Sequence, residues 1–271
     1  MPAEPQSALD AIASLETVNY SQDAIGVGLL VIDRPPVNAL GKQLVHDLGA
    51  AASALAADPS VRALALAAGG RTFCAGADLK ERQSMDMDQV RAFVGTLSAT
   101  CQHLAELPFP TVAAIHGTAA GGGCELALAC DFRVLDESGR IGLPETTLAI
   151  VPGAGGTQRL PRLIGSARAK KWIFTGRLFD AREALADGVV DCTVPAGEVR
   201  SRALEMMAEM ARSAPLALKA AKRAVDEAFD GSMAQGLARE WQAYESILET
   251  EDRLEALAAF KEKRPPVFKG R

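Results

Sequence analysis

Two kinds of apolar pattern alternate along the first half of this chain. Short, almost unbroken apolar runs predict buried strands at residues 25–33, 61–68 and 112–115, and residues 131–135 are predicted as another short strand. Longer stretches with an apolar residue at every third or fourth position predict helices at residues 39–57 and 87–107, the first with Asn38 as its N-cap. Strands that recur with helices between them predict a layered α/β fold with mostly parallel strand pairing.

The last third of the chain has only one short extended piece, at residues 189–194. Helical patterns occupy residues 167–175, 180–187, 198–212, 215–229, 233–250 and 251–260, and Pro215 suits the first turn of its helix. We therefore predict two regions, an α/β core at residues 1–195 and an all-α region at residues 196–271.

The strand at residues 112–115 leads into a glycine-rich turn and then a helix that carries one acid. Gly121, Gly122 and Gly123 let the backbone approach a ligand, and the first turn of the helix has free N–H groups and partial positive charge. Such a turn can bind an anion or a developing oxyanion. Glu125 follows among small and apolar residues. A structural alternative is tight strand–helix packing, with Glu125 as an acid favoured by the helix dipole.

Two further segments carry candidate chemistry. Residues 73–80, FCAGADLK, follow a strand, and their small side chains leave backbone N–H groups accessible as a second donor to a carbonyl oxygen. Asp78 has an equally good structural use as a cap. Glu145 follows Pro144 in a predicted loop, before a second glycine-rich turn at residues 152–156. By itself Glu145 is as readily explained as a surface acid.

The composition excludes several classes of function. The chain has 271 residues, 48% of them hydrophobic, and a net charge of −5, which gives no basic face for general nucleic-acid binding. Its five cysteines contain no CxxC pattern, and its three histidines lie far apart, so we expect no metal site. Residues 1–21 have three acids and no Lys or Arg, which is typical of neither a secretory signal nor an Arg-rich transit peptide. No apolar run is long enough for a membrane span. We expect a soluble, cytoplasmic protein.

Five segments, taken together and in this order, resemble the enoyl-CoA hydratase/isomerase (crotonase) family from about residue 19 onward. They are RPPVNAL at 34–40, FCAGADLK at 73–80, AIHGTAAGGGCELALACD at 114–131, LPE at 143–145 through VPGAGGTQRL at 151–160, and AFKEKRPP at 259–266. The sequence of residues 155–162 and 259–266 is most similar to that of the methylglutaconyl-CoA hydratase-like and short-chain enoyl-CoA hydratase branch.

The resemblance implies a fold and a reaction. The fold is a spiral of ββα repeats with perpendicular sheets and a C-terminal helical region at subunit contacts, in homotrimers or homohexamers. The reaction is addition of water across the 2,3-double bond of an enoyl-CoA thioester, with no cofactor beyond the coenzyme A of the substrate. The backbone N–H groups of Ala77 and Gly122 would form the oxyanion hole, Glu125 would activate water, and Glu145 would donate the proton to C2.

The resemblance also implies residues that bind coenzyme A. Around the oxyanion hole these are Ala75, Asp78, Leu79 and Lys80, with Lys80 a candidate for the phosphates. At the other end of the chain they are Phe260 and Lys263, which would reach the substrate from the same or a neighbouring subunit. The basic tail, residues 261–271, can meet phosphates or remain solvated.

Three alternatives stay open at this point. An isomerase, dehalogenase or decarboxylase on the same scaffold commonly keeps only one of the two acids. A nicotinamide-dependent dehydrogenase would need the order Gly-x-Gly-x-x-Gly near its first strand, which residues 121–123 do not provide. A non-catalytic CoA-binding oligomer would not need both Glu125 and Glu145.

Overall fold

Two sheets of unequal size form the layered part of the molecule in the computed structural model, which describes residues 7–271. Residues 1–6, which belong both to the predicted core and to the acidic N-terminal segment at residues 1–21, lie outside this range. The strands are β1 Val18–Gln22, β2 Val27–Ile32, β3 Ala63–Ala68, β4 Thr111–Ile115, β5 Thr118–Ala120, β6 Phe132–Asp136, β7 Arg140–Gly142, β8 Phe179–Asp180 and β9 Cys192–Val194.

The helices connect these strands and then continue alone to the end of the chain. They are α1 Ala8–Ile12, α2 Lys42–Ala57, α3 Leu79–Gln83, α4 Met87–Ala105, α5 Gly122–Ala129, α6 Gly156–Ile164, α7 Ser166–Thr175, α8 Ala181–Ala186, α9 Val199–Met210, α10 Pro215–Asp226, α11 Met233–Glu245 and α12 Glu251–Glu262, with single 3₁₀ turns at Glu145–Leu148 and Glu227–Phe229. Between residues 7 and 271, no helix is both long and apolar enough to cross a membrane.

The larger sheet has the strand order β1-β2-β3-β4-β6-β9 and the smaller one the order β5-β7-β8. Strand β1 is antiparallel to β2 and every other pair in the larger sheet is parallel, which confirms the predicted layered α/β fold. In the smaller sheet β5 and β7 are parallel, and β8 is antiparallel to β7. The chain needs the helical connections because parallel neighbours cannot be joined by a tight turn.

Strands β3 and β4 are buried along their whole length because helices cover both faces of the larger sheet. On one face, α2 and α4 pack against each other above the main core. On the other, Val199, Ala203 and Met207 of α9 pack against small residues of β3 and β4. Helix α9 thus covers the sheet, although the predicted boundary at residue 195 groups it with the C-terminal helices. Among those helices, α10 packs against α11.

The predicted cap of the first long helix is wrong. Helix α2 begins at Lys42 with Gly41 as its N-cap, and Asn38 lies upstream of it with a left-handed φ of 53°. The buried Asn38 side chain instead donates to the carbonyl oxygens of Gly69 (2.9 Å) and Thr72 (2.8 Å), and its oxygen accepts from the Arg34 N–H. Asn38 therefore joins the turn after β2 to the turn after β3.

Strands β1, β5, β7 and β8 were not predicted. Strand β1 alternates apolar and polar residues and so contains no unbroken apolar run, while β5, β7 and β8 have three residues or fewer and are too short for a period of two to be recognised. The predicted loop at Glu145 is a single 3₁₀ turn.

We expect Asn38→Ala to lower the free energy of unfolding by about 2 to 4 kcal/mol, because two carbonyl oxygens lose their donor and an L-residue other than Asn or Gly tolerates a positive φ poorly. The measurement is urea unfolding followed by circular dichroism. Asn19→Ala, at an exposed position of β1, is the matched control and should change stability by less than about 0.5 kcal/mol. Equal effects of the two substitutions would contradict the role assigned to Asn38.

Candidate active site

A cavity of about 670 Å³ lies where five segments of the chain meet. Its lining comes from the segment after β3, from α3 and α4, from the start of α5, and from the 3₁₀ turn at Glu145–Leu148 with the loop that follows it. Most lining side chains are apolar, including Phe93, Leu97 and Leu148. The titratable groups among the lining residues within 7–271 are Arg82, Glu125 and Glu145.

Two backbone N–H groups meet at this cavity. The Leu40 N–H donates to the Gly76 carbonyl oxygen (2.8 Å), and the Leu40 carbonyl oxygen accepts from the Asp78 N–H (3.0 Å). This parallel bridge directs the N–H of Ala77, between Gly76 and Asp78, away from Leu40. Gly122 is the first residue of α5, so its N–H has no partner inside the helix. A Cβ atom placed on Gly122 would lie 3.9 Å from the Ala77 nitrogen, so the two amides are neighbours. Neither amide has an acceptor within residues 7–271.

Gly76 permits this approach of the two segments. Its φ of 91° is in the left-handed region, and a Cβ atom there would lie 2.7 Å from the Ala120 carbonyl oxygen and 3.6 Å from the Gly122 nitrogen. A side chain at this position would separate the segment after β3 from the turn before α5. The glycine therefore sets the spacing between the two amides.

Glu125 is a buried carboxylate held by main-chain donors. It lies in the first turn of α5 and is 2% exposed. Its Oε1 accepts from the N–H groups of Ala154 (2.7 Å), in the loop before α6, and of Gly156 (2.8 Å), the first residue of α6. Burial raises the pKa of Glu125, and the two N–H bonds oppose that rise by stabilising the ionised form. A Cβ atom on Gly156 would lie 3.0 Å from this oxygen, so the missing side chain makes room for the contact.

Glu145 is buried without such support. It is 8% exposed, and its Oε2 has no hydrogen-bond partner within residues 7–271. Burial, and to a smaller extent the negative charge of Glu125, raises the pKa of Glu145 to about 7. Glu145 therefore exchanges a proton near neutral pH, whereas Glu125 has two donors directed at its charged form. Their pKa values are set by different surroundings in one cavity, as expected for an acid and a base.

The profile of the enoyl-CoA hydratase/isomerase family matches residues 22–271. The chain belongs to this family, also called the crotonase family. It is 47% identical over 243 residues to the probable enoyl-CoA hydratase 2 of Arabidopsis thaliana, covering 88% of this chain and 80% of the relative. It is 45% identical over 262 residues to the methylglutaconyl-CoA hydratase of Rattus norvegicus, covering 94% and 83%. Both the family and the methylglutaconyl-CoA hydratase-like branch predicted from the sequence are thereby confirmed.

A solved crotonase-family structure has the same fold over nearly the whole chain. The enoyl-CoA hydratase of Bacillus anthracis superposes with a TM-score of 0.92 at 43% identity, covering 94% of this chain and all of that one. The fold class predicted by resemblance, an α/β crotonase-like core with helices at the C-terminus, is confirmed.

The structure brings together four residues that the sequence placed in one site. Ala77, Gly122, Glu125 and Glu145 all line the cavity, and Ala75 and Leu79 do so as well. The other predicted CoA-binding residues do not line it: these are Asp78, Lys80, Phe260 and Lys263. Asp78 caps α3 through the N–H groups of Lys80 and Glu81 and pairs with Arg34 at 2.8 Å. Phe260 is 87% exposed on α12, and Lys263 is the C-cap of that helix.

Sequence reasoning missed three contributors to the site. Ala154 and Gly156 donate to Glu125, and Arg82 lines the cavity. The glycine-rich turn at residues 152–156 was recognised only as a turn, although glycines before a helix are a signal for anion binding. Within residues 7–271, no cluster of three His, Cys, Asp or Glu side chains has the arrangement of a metal site.

We expect Glu145→Gln to remove a pH dependence of stability. Between about pH 4.5 and pH 7 the folded protein keeps a proton on Glu145 that the unfolded chain has lost, so the free energy of unfolding of the unmodified protein falls as pH rises through this window. The variant has no such term. Relative to the unmodified protein it should therefore gain about 2 to 3 kcal/mol of stability between pH 5 and pH 8.

The measurement is urea unfolding of both proteins at a series of pH values. Glu137→Gln, at an exposed position after β6, is the matched control and should follow the unmodified protein at every pH. A stability difference between Glu145→Gln and the unmodified protein that stays constant from pH 5 to pH 8 would contradict a raised pKa at Glu145.

Proposed function

We propose that this protein is an enoyl-CoA hydratase, which adds water across the 2,3-double bond of a CoA thioester. The observation that carries the proposal is the pair of buried glutamates with unlike surroundings beside two free backbone N–H groups. Hydration requires a base for water and an acid for carbon, together with stabilisation of the negative charge that develops on the thioester oxygen.

In the proposed reaction the thioester oxygen accepts hydrogen bonds from the Ala77 and Gly122 amides, with the N-terminus of α5 adding partial positive charge. Glu125, as the carboxylate, takes a proton from water while the water oxygen forms a bond to C3. The electron pair of the double bond moves toward the thioester, and the enolate so formed takes the proton of Glu145 at C2. Glu125 then releases its proton to solvent, and Glu145 takes one up.

The proposed reaction is redox-neutral, and we propose no cofactor beyond the coenzyme A of the substrate. Methylglutaconyl-CoA, named in the rat relative, and unbranched short-chain enoyl-CoA thioesters are the candidate substrates. An isomerase would move one proton between C2 and C4 and would need a single acid–base group. The second glutamate therefore favours hydration over isomerisation and over non-catalytic CoA binding.

We expect Glu125→Gln and Glu145→Gln each to lower kcat for hydration of crotonyl-CoA by roughly 10²- to 10⁴-fold, because each removes one proton-transfer group. The measurement is the loss of ultraviolet absorbance of the conjugated thioester. Glu137→Gln is the control and should hydrate crotonyl-CoA at the unmodified rate. Binding of butyryl-CoA, the saturated analogue, should stay within about 3-fold in all three variants, since uniform binding does not depend on proton transfer.

Two results would contradict the proposal. One is undiminished hydration in either glutamate variant. The other is an unmodified protein that converts 3-enoyl-CoA to 2-enoyl-CoA without hydrating crotonyl-CoA, which would favour the isomerase.

We also propose that the protein is a homotrimer or homohexamer assembled through its C-terminal helices. Met233, Leu237, Trp241 and Tyr244 follow one another at helical spacing on α11 and are all more than half exposed, as are Leu254, Leu257 and Phe260 on α12. Exposed apolar surface of this extent is typical of an interface. A second copy of the chain is the proposed partner, because the family resemblance implies subunit contacts through the C-terminal helical region and both helices belong to that region.

We expect sedimentation velocity to give the mass of a trimer or hexamer, and Trp241→Glu to shift the distribution toward monomer, because an uncompensated charge would be buried in the interface. Gln242→Glu, at the adjacent exposed position of α11, adds the same charge outside the apolar row and should leave the mass unchanged. A monomeric unmodified protein would contradict the proposed assembly and leave the proposed chemistry intact.

A further inference from the structure

Arg159 contacts the same turn that holds Glu125, and the hydration chemistry does not use it. It lies in the first half of α6 and is partly buried. Its Nη1 donates to the carbonyl oxygen of Ala154 (2.9 Å), and its Nη2 donates to the side-chain oxygen of Gln102 on α4 (2.8 Å). The N–H of the same Ala154 donates to Glu125 (2.7 Å). Arg159 is therefore joined to the carboxylate through one residue of the main chain.

The turn at residues 153–156 lies between two cavities. Gly153 and Ala154 line the catalytic cavity, whereas Gly155 and Arg159 line a second cavity of about 930 Å³ beside α4 and α10. Since Arg159 does not line the catalytic cavity, it can act on the reaction only through the turn and not by contact with the substrate.

Gly155 makes room for the arginine side chain. Its φ of 105° is in the left-handed region, and a Cβ atom there would overlap Nη1 of Arg159. The guanidinium reaches the Ala154 carbonyl oxygen because residue 155 has no side chain. Ala154 and Gly156, on either side of this glycine, supply both donors of Glu125. Arg159 thus holds the turn at the place on which both donors depend.

The positive charge of Arg159 acts on Glu125 because no acid neutralises it. Both acceptors of the guanidinium are uncharged oxygens, and no carboxylate within residues 7–271 forms an ion pair with it. Burial raises the pKa of Glu125, while the N–H groups of Gly156 and Ala154 and then the charge of Arg159 lower it. A general base must be ionised to accept a proton, so the charge acts in the direction that the proposed chemistry requires.

The other titratable groups around Glu125 do not supply such a charge. Glu145 is an acid, and Arg82 lines the same cavity without lowering the pKa of Glu125. The thiols of Cys101 on α4 and Cys124 on α5 are buried, and burial raises the pKa of both well above the ordinary value. Both thiols are therefore uncharged near neutral pH, and the arginine of α6 is the cation that stabilises the carboxylate.

We propose that Arg159 is a positioning residue, which fixes the turn that holds Glu125 and supplies the positive charge that this buried carboxylate needs. The role rests on the proposed hydratase function and adds to it a residue that acts through Glu125. Its two components, the hydrogen bond to Ala154 and the charge, can be tested separately.

The kinetic test is hydration of crotonyl-CoA over a range of pH. In Arg159→Met, kcat should fall on the order of 10- to 100-fold, because the base loses its fixed position. The acidic limb of the kcat/KM profile should move to higher pH, since this limb reports the pKa of the base. Arg159→Lys keeps the charge without the planar fork, so kcat should fall while the acidic limb stays near that of the unmodified protein. Kd for butyryl-CoA should stay within about 3-fold in both variants.

Arg162→Met is the matched control. Arg162 lies one turn further along α6, is exposed, and donates to the Gln158 carbonyl oxygen (3.1 Å), so its loss should change neither kcat nor the pH profile. A fall in kcat in Arg159→Met without any movement of the acidic limb would reduce Arg159 to a packing role and overturn the inference. Equal losses of kcat in Arg159→Met and Arg162→Met would overturn it as well.

Thermal unfolding tests the same role without turnover. At low pH Glu125 is protonated and the charge of Arg159 has no carboxylate to stabilise, whereas at high pH it does. The fall in Tm caused by Arg159→Met should therefore be larger at pH 8 than at pH 5, by about 2 to 4 °C. In the Glu125→Gln background the same substitution should lower Tm equally at both pH values. Titration of Glu145 is common to the proteins compared and cancels.

The two measurements separate this role from the proposed reaction. A pH-dependent fall in Tm that requires Glu125 would support the role of Arg159 even if crotonyl-CoA were not hydrated, an outcome that would reject only the proposed hydratase function. A fall in Tm that is the same at pH 5 and pH 8 with Glu125 present would overturn the role even if hydration were observed.

Discussion

The burial of two carboxyl groups in one apolar cavity is the constraint on which the rest of this site depends. An ionised carboxylate removed from water is costly unless hydrogen-bond donors replace its hydration. The two carboxyl groups differ in the donors that surround them. Glu125 has two amide donors, one in the loop before α6 and one at its first residue, whereas one oxygen of Glu145 has no partner within residues 7–271. Burial without such donors, together with repulsion by the charge of Glu125, raises the pKa of Glu145 and makes it the group that holds a proton near neutral pH.

The different surroundings of Glu125 and Glu145 require segments that are remote in sequence to lie at closely defined distances from one another. The parallel pairing of β3, β4 and β6 places the segment after β3 beside the turn that begins α5, and the pairing of β5 with β7 returns the chain to Glu145. Contacts at these crossings are so close that a Cβ atom on Gly76 would lie 2.7 Å from a carbonyl oxygen. The glycines that marked the sequence as unusual are therefore needed for distances between segments as well as for turns.

The sequence predicted the parts of this arrangement that depend on local pattern. The strands at β2, β3, β4 and β6, the long helices and the Asp78 cap follow from apolar period and capping chemistry, and they were predicted within a few residues. Asn38 was misassigned because a capping residue and a residue bonded across the fold look the same in sequence. The donors of Glu125 and the orientation of Arg82 were missed because both depend on tertiary contacts, which no local pattern encodes.

Asp78 connects two parts of the cavity wall, the segment with the Ala77 amide and helix α3. Its backbone N–H completes the bridge to Leu40 that turns the Ala77 amide toward the cavity, and its side chain caps the helix from which Arg82 projects. Its ion pair with Arg34 holds this junction against the turn after β2. A displacement of α3 would therefore move the Ala77 amide and the Arg82 side chain together. Because one residue fixes both, the position of the Ala77 amide and the placement of α3 beside the cavity are linked.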